Sequence, residues 1–427
     1  MLYKEKLDSF LDLNDIEEIL EEAFQDISKL KKALLIHPDY TRHDFTDVIV
    51  PKILELLRRK GLKELHTLNS SGTHRAMKTE EFEKKLGIKQ SEDVIFHNHE
   101  FFNPAKLETV GVLPADFVKN VTENEIEESI PVNANKMVFS DFDVILVISG
   151  TVPHESAGFG GGLKAFIPGI SGPKVVDTFH WAAVLVGIPK IIGTVDNPAR
   201  DIINEASKLI FERINSRIFS INMVFEEETT GKVIPKGLYI AEQFDGFIEA
   251  YKKACEASSK IHVKYIEKPV KRAVQVIGKE YDEVWTAGKG SYKLQKPGVM
   301  APGGEIIIYA PHIERFHSNP DMDKWIREIG YHCKDYVKEF IKKNPDFSKN
   351  VASHVINVTG PGNYDPATGK EELLFKVTLA TKISKAECEA VNLGYMSPEE
   401  VKREYFNDEE SLWIEPGGKY LYDIRKR

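Results

Sequence analysis

Hydrophobic positions along the chain alternate between short continuous runs and a spacing of three or four residues. The continuous runs are typical of strands buried on both faces of a sheet, and the wider spacing is typical of helices with one apolar face. In the first half this pattern predicts strands at residues 33–36, 64–68, 144–148 and 190–195, and helices near 15–30, 50–60, 80–86, 174–186 and 198–211. Such alternation indicates an α/β fold with mostly parallel sheets.

A second alternating series follows an amphipathic helix predicted at residues 246–259. It comprises strands at 282–286, 305–309, 355–358 and 373–379 and a long helix at 321–343. The polar segment Glu267-Lys268-Pro269 separates the two series, so we predict two α/β domains, residues 1–267 and residues 268–427. A chain of 427 residues is long enough to enclose an active-site cleft between such domains.

Composition narrows the class of protein and its compartment. Hydrophobic residues make up 42% and charged residues 29%, which excludes disordered and fibrous chains. Acidic residues outnumber basic ones, 66 against 57, so a nucleic-acid partner is not expected. The three cysteines are far apart and form no paired motif, as in a reducing compartment. The N-terminus is charged throughout and no apolar run approaches about 20 residues, so we expect a cytoplasmic protein without a membrane span.

Two loops that follow predicted strands carry residues suited to chemistry. Asp39 and Arg42 follow the strand at 33–36, and His74 follows the strand at 64–68. Ligands of open α/β sheets bind at the carboxyl ends of strands. An arginine there can hold a carboxylate or phosphate through two hydrogen bonds, and a histidine can transfer a proton. The alternatives are an Asx turn with a surface arginine, and a structural histidine.

The densest group of unusual residues follows the strand at 144–148 and reads GTVPHESAGFGGGLK. It holds His154, a run of glycines and Lys164. The glycines let backbone amides approach an anion closely, or form a tight turn. A nucleoside-triphosphatase phosphate loop is disfavoured, because Leu163 separates the glycines from the lysine and Ala165 replaces the hydroxyl residue that would follow it.

Two further groups complete the candidates. His180 lies on the helix predicted at 174–186. One imidazole cannot hold a metal tightly unaided, and the alternative is a helix histidine paired with a neighbour. Tyr292, Lys293 and Lys296 follow the strand predicted at 282–286. On a helical turn Tyr292 and Lys296 would share a face, so these lysines are either a positive lid over an anionic substrate or a solvated loop.

Taken in order, these segments resemble the lactate racemase family, the nickel-pincer enzymes. The resemblance rests on Asp-x-Thr-Arg at residues 39–42, Gly-Thr-His-Arg at 72–75, Pro-His followed by glycines and Lys164, then His180, and Tyr-x-x-x-Lys at 292–296. It covers most of the chain. The joint occurrence of these motifs in this order is more specific than any one of them.

The resemblance implies a cofactor, Ni(II)-pyridinium-3,5-bisthiocarboxylic acid mononucleotide, with nickel held between two thiocarboxyl groups. It implies that Lys164 anchors the pyridinium ring covalently, that His180 is the protein ligand to nickel, and that His74 and His154 exchange protons with substrate. The cofactor-binding loop corresponds to Asp39, Tyr40, Thr41 and Arg42, and the substrate-holding residues correspond to Arg42, Tyr292, Lys293 and Lys296. The enzymes that make the cofactor are implied as transient partners.

The reaction implied is racemisation or epimerisation of a 2-hydroxy acid. Removing the C2 hydrogen as a proton would leave a carbanion beside a carboxylate, and an imidazole with a pKa of ~6.5 is too weak a base for that. The alternative is hydride transfer to a cofactor, since no ordinary side chain accepts hydride.

Two positions depart from the family pattern. Leu163 precedes the anchoring lysine where a small residue is expected, and Lys293 stands where the lactate enzyme more usually has Gln. The added cation suggests a substrate more polar than lactate, such as a sugar acid. A zinc-dependent hydrolase using His154, His180 and an acidic residue, and a catalytically silent relative that binds a nucleotide or the cofactor, are the alternative interpretations.

Overall fold

The computed structural model describes residues 1–228 and 230–425 of the chain. The strands are β1 (Leu2–Glu5), β2 (Lys32–His37), β3 (Glu64–Asn69), β4 (Val94–His97), β5 (Leu107–Leu113), β6 (Ile130–Asn135), β7 (Val144–Gly150), β8 (Pro153–His154), β9 (Gly158–Phe159), β10 (Arg217–Glu227), β11 (Val233–Glu242), β12 (Val263–Ile266), β13 (Val270–Val276), β14 (Met300–Ala310), β15 (Gly362–Asp365), β16 (Lys370–Leu373), β17 (Phe375–Thr381), β18 (Gly394–Tyr395), β19 (Ser411–Ile414) and β20 (Leu421–Ile424). The helices are α1 (Leu13–Ala23), α2 (Thr46–Arg59), α3 (Thr79–Leu86), α4 (Ala115–Val121), α5 (Pro173–Val186), α6 (Ile188–Ile191), α7 (Pro198–Phe211), α8 (Gln243–His262), α9 (Val284–Ala287), α10 (Lys289–Tyr292), α11 (Pro320–Ile329), α12 (Lys334–Lys343), α13 (Lys349–Thr359) and α14 (Lys385–Ala390).

The chain divides into two compact units that are not continuous halves. The first unit comprises Met1–Phe179 and Thr194–Ile261, and the second comprises His180–Gly193 and the chain from His262 onward. The prediction ran instead in two uninterrupted blocks, 1–267 and 268–427. Residues 180–193 belong to the second unit because Ile188 and Ile192 pack with Leu421 in one apolar cluster.

Within the described residues, the first unit is built on a seven-stranded sheet in the order β1-β11-β10-β7-β2-β3-β4. The strands from β10 to β4 are parallel, and β11 and β1 are antiparallel additions at one edge. Strands β2 and β7 are almost entirely apolar and buried, because helices cover both faces of a parallel sheet. The predicted α/β class with mostly parallel sheets is confirmed.

The order of the strands decides where a ligand can bind on this sheet. The chain passes from β2 to β3 and β4 on one side, and β7 and β10 lie on the other side of β2. The loops that follow β2 and β7 therefore leave the sheet in opposite directions and open a crevice at its carboxyl edge. In register, Ile36 of β2 lies opposite Leu68 of β3 and Val147 of β7. Strands β2 and β3 therefore end at the same level, and β7 continues beyond them to Gly150.

The second unit contains a five-stranded parallel sheet in the order β18-β17-β14-β13-β19 among the residues described. Strands β14 and β17 match the predictions at 305–309 and 373–379. Helices α11 and α12 replace one predicted helix at 321–343, because the chain turns at Gly330 with φ +70°.

Three predicted strands are wrong. Residues 190–195 begin in α6, whose Pro189 lies in the first helical turn, and residues 282–286 run into α9. Residues 355–358 lie inside α13, which is buried on nearly all sides. A short continuous apolar run is compatible with a buried strand and with a buried helix, and the pattern alone does not separate the two.

In the portion of the chain that the structure describes, no helix has both the length and the apolar character needed to cross a bilayer.

Candidate active site

The loop after β2 is organised around one buried carboxylate. Asp39 is 2% exposed, and its Oδ1 accepts hydrogen bonds from the Thr41 backbone N–H at 3.0 Å and the Thr41 hydroxyl at 2.6 Å. The Arg42 backbone N–H donates to the Asp39 carbonyl at 3.2 Å. The predicted Asx turn is therefore present, and it leaves Oδ2 of Asp39 for a second partner.

That second partner is His74, from the loop after β3. The distance from His74 Nδ1 to Asp39 Oδ2 is 2.5 Å. Burial alone would raise the pKa of Asp39, but the charge and hydrogen bond of His74, with Arg42 and Thr41, hold that pKa below its ordinary value. Because a carboxylate only accepts, Nδ1 of His74 carries a proton in both states of the ring, and in the neutral state Nε2 presents a lone pair. His74 is thus oriented as a proton acceptor.

Backbone hydrogen bonds fix the loop that carries His74. The Ser70 N–H donates to the His37 carbonyl at 2.8 Å, and the Gly72 N–H donates to the Gly169 carbonyl at 2.9 Å. A Cβ on Gly169 would lie 2.2 Å from the Ala165 carbonyl oxygen, so no other residue fits there without a shift of the backbone. The loop after β3 is therefore docked against the segment just beyond Lys164.

The glycine-rich segment after β7 forms a close-packed turn. Gly161 and Gly162 have φ of +91° and +58°, a region that favours glycine. The Gly162 N–H donates to Asn222 Oδ1 at 2.8 Å, and the Gly160 N–H donates to the Val152 carbonyl at 2.8 Å. The expectation that these glycine amides approach an anion is wrong for Gly160 and Gly162, because both N–H groups are bound inside the protein.

Lys164 follows this turn, in a short 3-10 helix at Gly162–Ala165. The pKa of its amine is lowered to about 7, mainly by burial; the positive charges of Arg42 and Arg200 add to the lowering, and Glu155 and Asp39 oppose it. The lowered pKa makes the neutral amine accessible near neutral pH, and a neutral amine is a nucleophile. Because Arg42 and Asp39 act on Lys164, the loops after β2 and β7 share one electrostatic environment.

Arg200 is a residue of this site that the sequence analysis missed. Arg200 is 2% exposed, and its guanidinium donates to the carbonyls of Phe159 at 2.5 Å and Ala157 at 3.2 Å. It also lies over the ring of Tyr251, 3.9 Å from the centroid. Asn197 caps the start of α7, and its side chain accepts a hydrogen bond from the Arg200 N–H. The sequence around Arg200 therefore indicates the start of a helix, and it does not indicate a contact with the glycine turn.

Replacing Arg200 with Met is expected to raise the pKa of Lys164 above about 7. The change removes a buried positive charge and loosens the turn, and both effects favour the protonated amine. Mass spectrometry of the Lys164 peptide after reductive methylation at a series of pH values measures the midpoint. Arg200→Lys keeps the charge and separates the two effects, and Arg213→Met, at an exposed pair with Glu108, is the control. An unchanged midpoint in folded Arg200→Met protein would contradict this expectation.

His154, on β8, has the opposite orientation to His74. Its Nδ1 accepts a hydrogen bond from the Ser156 N–H at 3.1 Å and lies 3.5 Å from Oε2 of Glu155. With Nδ1 as acceptor, the proton of the neutral ring is on Nε2. The two histidines thus favour different neutral tautomers, with the ring proton on Nδ1 in His74 and on Nε2 in His154.

The remaining predicted residues of the first unit are also placed. Tyr40 lies beneath the guanidinium of Arg75, 4.1 Å from ring centroid to Cζ, and Arg75 binds both carboxylate oxygens of Glu81 at 2.8 and 2.6 Å. Lys85 donates to the Arg42 carbonyl at 2.7 Å and therefore holds the backbone of the loop after β2.

The predicted residues His180, Tyr292, Lys293 and Lys296 belong to the second unit. His180 lies on α5, as predicted. Tyr292 ends α10 and packs beside Ile192 and Leu421, and Lys293 follows it as a buried residue. The expectation that Tyr292 and Lys296 share a helical face is wrong, because the helix ends at Tyr292.

Among the described residues, no group of three His, Cys, Asp or Glu side chains is arranged to hold a metal ion. A catalytic zinc site normally takes three protein ligands, so the zinc-hydrolase interpretation finds no donor set there.

Comparison with known proteins agrees with the site. The profile of the lactate racemase N-terminal domain matches residues 13–188, a range that includes Asp39, His74, His154 and Lys164. A curated lactate racemase from Thermoanaerobacterium thermosaccharolyticum is 25% identical over 321 residues, which are 71% of this chain. Residues 13–188 of this chain are therefore similar to the N-terminal domain of lactate racemases. The match spans 65% of the length of that relative.

Two solved structures have a fold similar to that of this chain. A crystal structure of a protein from Thermotoga maritima is 64% identical, with a TM-score of 0.93, and covers 99% of this chain and 100% of its own. The lactate racemase apoprotein from Thermoanaerobacterium thermosaccharolyticum is 18% identical, with a TM-score of 0.68, and covers 100% of this chain and 94% of its own. The second likeness is one of fold.

The first unit fits the nickel-pincer nucleotide that the family resemblance implies. A buried amine with a pKa of about 7 suits a covalent anchor, and Arg42 and Arg200 surround it with positive charge that suits an anionic nucleotide. A group that brings its own sulfur donors also needs few ligands from the protein.

Proposed function

We propose that this protein is a racemase or epimerase of a 2-hydroxy acid that works with a nickel-pincer nucleotide attached to Lys164. The observation that carries the proposal is the junction of a buried, partly neutral Lys164 with the Asp39–His74 pair at the carboxyl edge of one sheet. When bound, such a group supplies reversible acceptance of hydride, which no side chain supplies. His180 is the proposed protein ligand to its nickel.

The two histidines have complementary roles in this proposal. Nε2 of His74 accepts the hydroxyl proton of one enantiomer, and the buried carboxylate of Asp39 stabilises the imidazolium that forms. His154 in its protonated form donates a proton to the oxygen of the flat 2-keto acid to give the other enantiomer, and the ring becomes neutral. In the reverse direction the roles exchange, because an imidazole accepts a proton when neutral and donates one when protonated.

Cationic side chains hold the substrate carboxylate in this proposal. Arg42, Lys293 and Lys296 are the proposed contacts, together with Tyr292, and they retain the keto acid until it is reduced again. Glu155 beside His154 adds an acceptor for further hydroxyl groups, which supports a polyhydroxy acid such as a sugar acid over lactate. The proposed transient partners are the enzymes that make the cofactor.

The test uses protein produced together with the cofactor-making enzymes. We expect intact mass to show an adduct on Lys164, metal analysis to show one nickel per chain, and the enzyme to interconvert the epimers of a 2-hydroxy acid in a panel from lactate to sugar acids. In deuterated solvent the C2 hydrogen should be retained, because it moves as hydride. Free exchange of that hydrogen would overturn the mechanism. Adduct and nickel without turnover of any substrate would instead indicate a catalytically silent carrier.

A further inference from the structure

The carboxyl edge of the second sheet has a switch point of its own. Strand β13 lies between β14, which leads on to β17 and β18, and β19 on the other side. The loops after β13 and β19 therefore diverge, which is the position where open parallel sheets bind ligands. The residues of the β13–β14 connection that are proposed for racemisation, Tyr292, Lys293 and Lys296, come later in that connection, at and after the end of α10.

Two ammonium groups converge on one tyrosine in this place. Nζ of Lys289 lies 3.9 Å from the ring centroid of Tyr281, and Nζ of Lys419 lies 5.0 Å from it. Tyr281 is from the loop after β13, Lys419 is from the loop after β19, and Lys289 begins α10. Burial alone would raise the pKa of Tyr281, but the two lysines lower it below its ordinary value. Both charges therefore act on the phenol oxygen.

The backbone around the two lysines is built to hold them close. The buried amide of Gln275 donates to the Gly290 carbonyl at 2.8 Å and accepts from the Gly418 N–H at 2.9 Å, which ties α10 to the loop after β19. Gly418 has φ +72°, and a Cβ there would lie 2.5 Å from Cγ of Lys289. The stem of Lys289 thus lies directly on the glycine backbone.

The charges in this cluster do not balance. Lys419, whose side chain is 14% exposed, forms an ion pair with Glu280 at 3.1 Å. No carboxylate of the described residues lies within ion-pair distance of Lys289, whose contact in this cluster is the neutral phenol of Tyr281. One excess positive charge remains in a partly buried place, where an unpaired charge is costly. A bound monoanion would neutralise it.

We propose that Lys289, Lys419 and the Tyr281 hydroxyl form a second ligand site, for the carboxylate or phosphate group of a small molecule. The two ammonium groups supply charge-assisted hydrogen bonds, and the phenol adds a neutral donor. The site is independent of the proposed racemisation, since it uses no residue assigned to that reaction. A ligand bound to Lys289 would stabilise the position of α10, which begins at Lys289 and ends at Tyr292.

Calorimetric titration of the full chain with inorganic phosphate, and separately with acetate, tests the site and distinguishes the two ligand classes. We expect one of them to bind saturably, with affinity about tenfold lower in Lys289→Met and in Lys419→Met, since hydrogen bonds to charged groups contribute roughly 1.5–3 kcal/mol. Lys289→Arg keeps the charge and should keep the binding. Lys279→Met, at an exposed position two residues before Tyr281, is the matched control.

A second variant separates this site from the cationic site of the first unit. In Lys164→Met the titration at Lys289 and Lys419 should persist, and a crystal soaked in selenate should show an anomalous peak beside Tyr281. Binding that survives Lys289→Met but is lost in Lys164→Met would overturn the proposal, as would the absence of saturable binding by both anions. In those cases the two lysines contact Tyr281 and do not bind an anion. Neither result bears on racemisation, which is measured separately.

Discussion

Lys164→Met is expected to abolish racemisation completely and at the same time to make the apoprotein more stable. The loss of activity follows because methionine cannot form the proposed covalent link to the cofactor. The gain in stability follows because burial in a positive environment lowers the pKa of Lys164 from 10.5 to about 7, so the native fold disfavours the charged amine. Residues that serve function at the expense of stability are common in active sites.

The gain depends on pH with a definite sign. Below pH 7 the lysine is protonated in both the folded and the unfolded chain, and the folded state carries the full cost of the buried charge. Between pH 7 and 10.5 the unfolded chain binds the proton and the folded chain does not, so the stability of the wild type rises with pH. The advantage of Lys164→Met is therefore largest below pH 7 and disappears above pH 10.5.

Urea unfolding of the apoproteins at pH 6, 8 and 10 measures this advantage. We expect roughly 2–4 kcal/mol at pH 6, since one pKa unit corresponds to about 1.4 kcal/mol and relaxation around a buried charge reduces the cost. Lys208→Met, at an exposed position on α7, is the control and should change neither stability nor adduct formation. Equal stability of Lys164→Met and wild type at all three pH values would show that the amine is solvated.

His74→Ala is expected to lower the rate of interconversion by about 10²–10⁴-fold, the usual contribution of a positioned general base. The adduct on Lys164 and the nickel content should stay unchanged, because His74 is proposed to act on substrate protons. His154→Ala should lose activity to the same order. His43→Ala removes a half-exposed histidine paired with Glu227 and is the control.

Asp39→Asn tests how Asp39 acts on His74. An amide can donate to Nδ1 of His74 and so place the ring proton on Nε2, the wrong tautomer for accepting the substrate proton. We expect the rate of interconversion to fall nearly as far as in His74→Ala. If both His74→Ala and His154→Ala remain active, the assignment of proton transfer is wrong. Full activity in Asp39→Asn, with loss of activity in His74→Ala, would show that His74 acts as a base without the help of the Asp39 carboxylate.

The sequence predicted the α/β fold class correctly where strands and helices bury long apolar runs or one regular apolar face. Strands β2, β3 and β7 and helices α2, α3 and α7 lie where apolar runs and three-to-four-residue spacing predicted them. The errors fall on short apolar runs, such as 355–358 inside α13, where a helix buried on nearly all sides has no polar face to reveal its period. Residues 180–193 joined the second unit because of contacts with Leu421, which is far away in the chain.

The order of motifs along the chain determined the family resemblance and the residues Asp39, His74, His154 and Lys164. The tertiary structure decided their chemistry. Asp39 meets His74 only because β2 and β3 are parallel neighbours that end at one level, and the low pKa of Lys164 arises from burial and from Arg42 and Arg200 on other elements. Residue types and spacing are local properties of a chain. A pKa, a tautomer or a buried guanidinium depends on neighbours that only folding brings together, and for that reason Arg200 had no signal in the sequence.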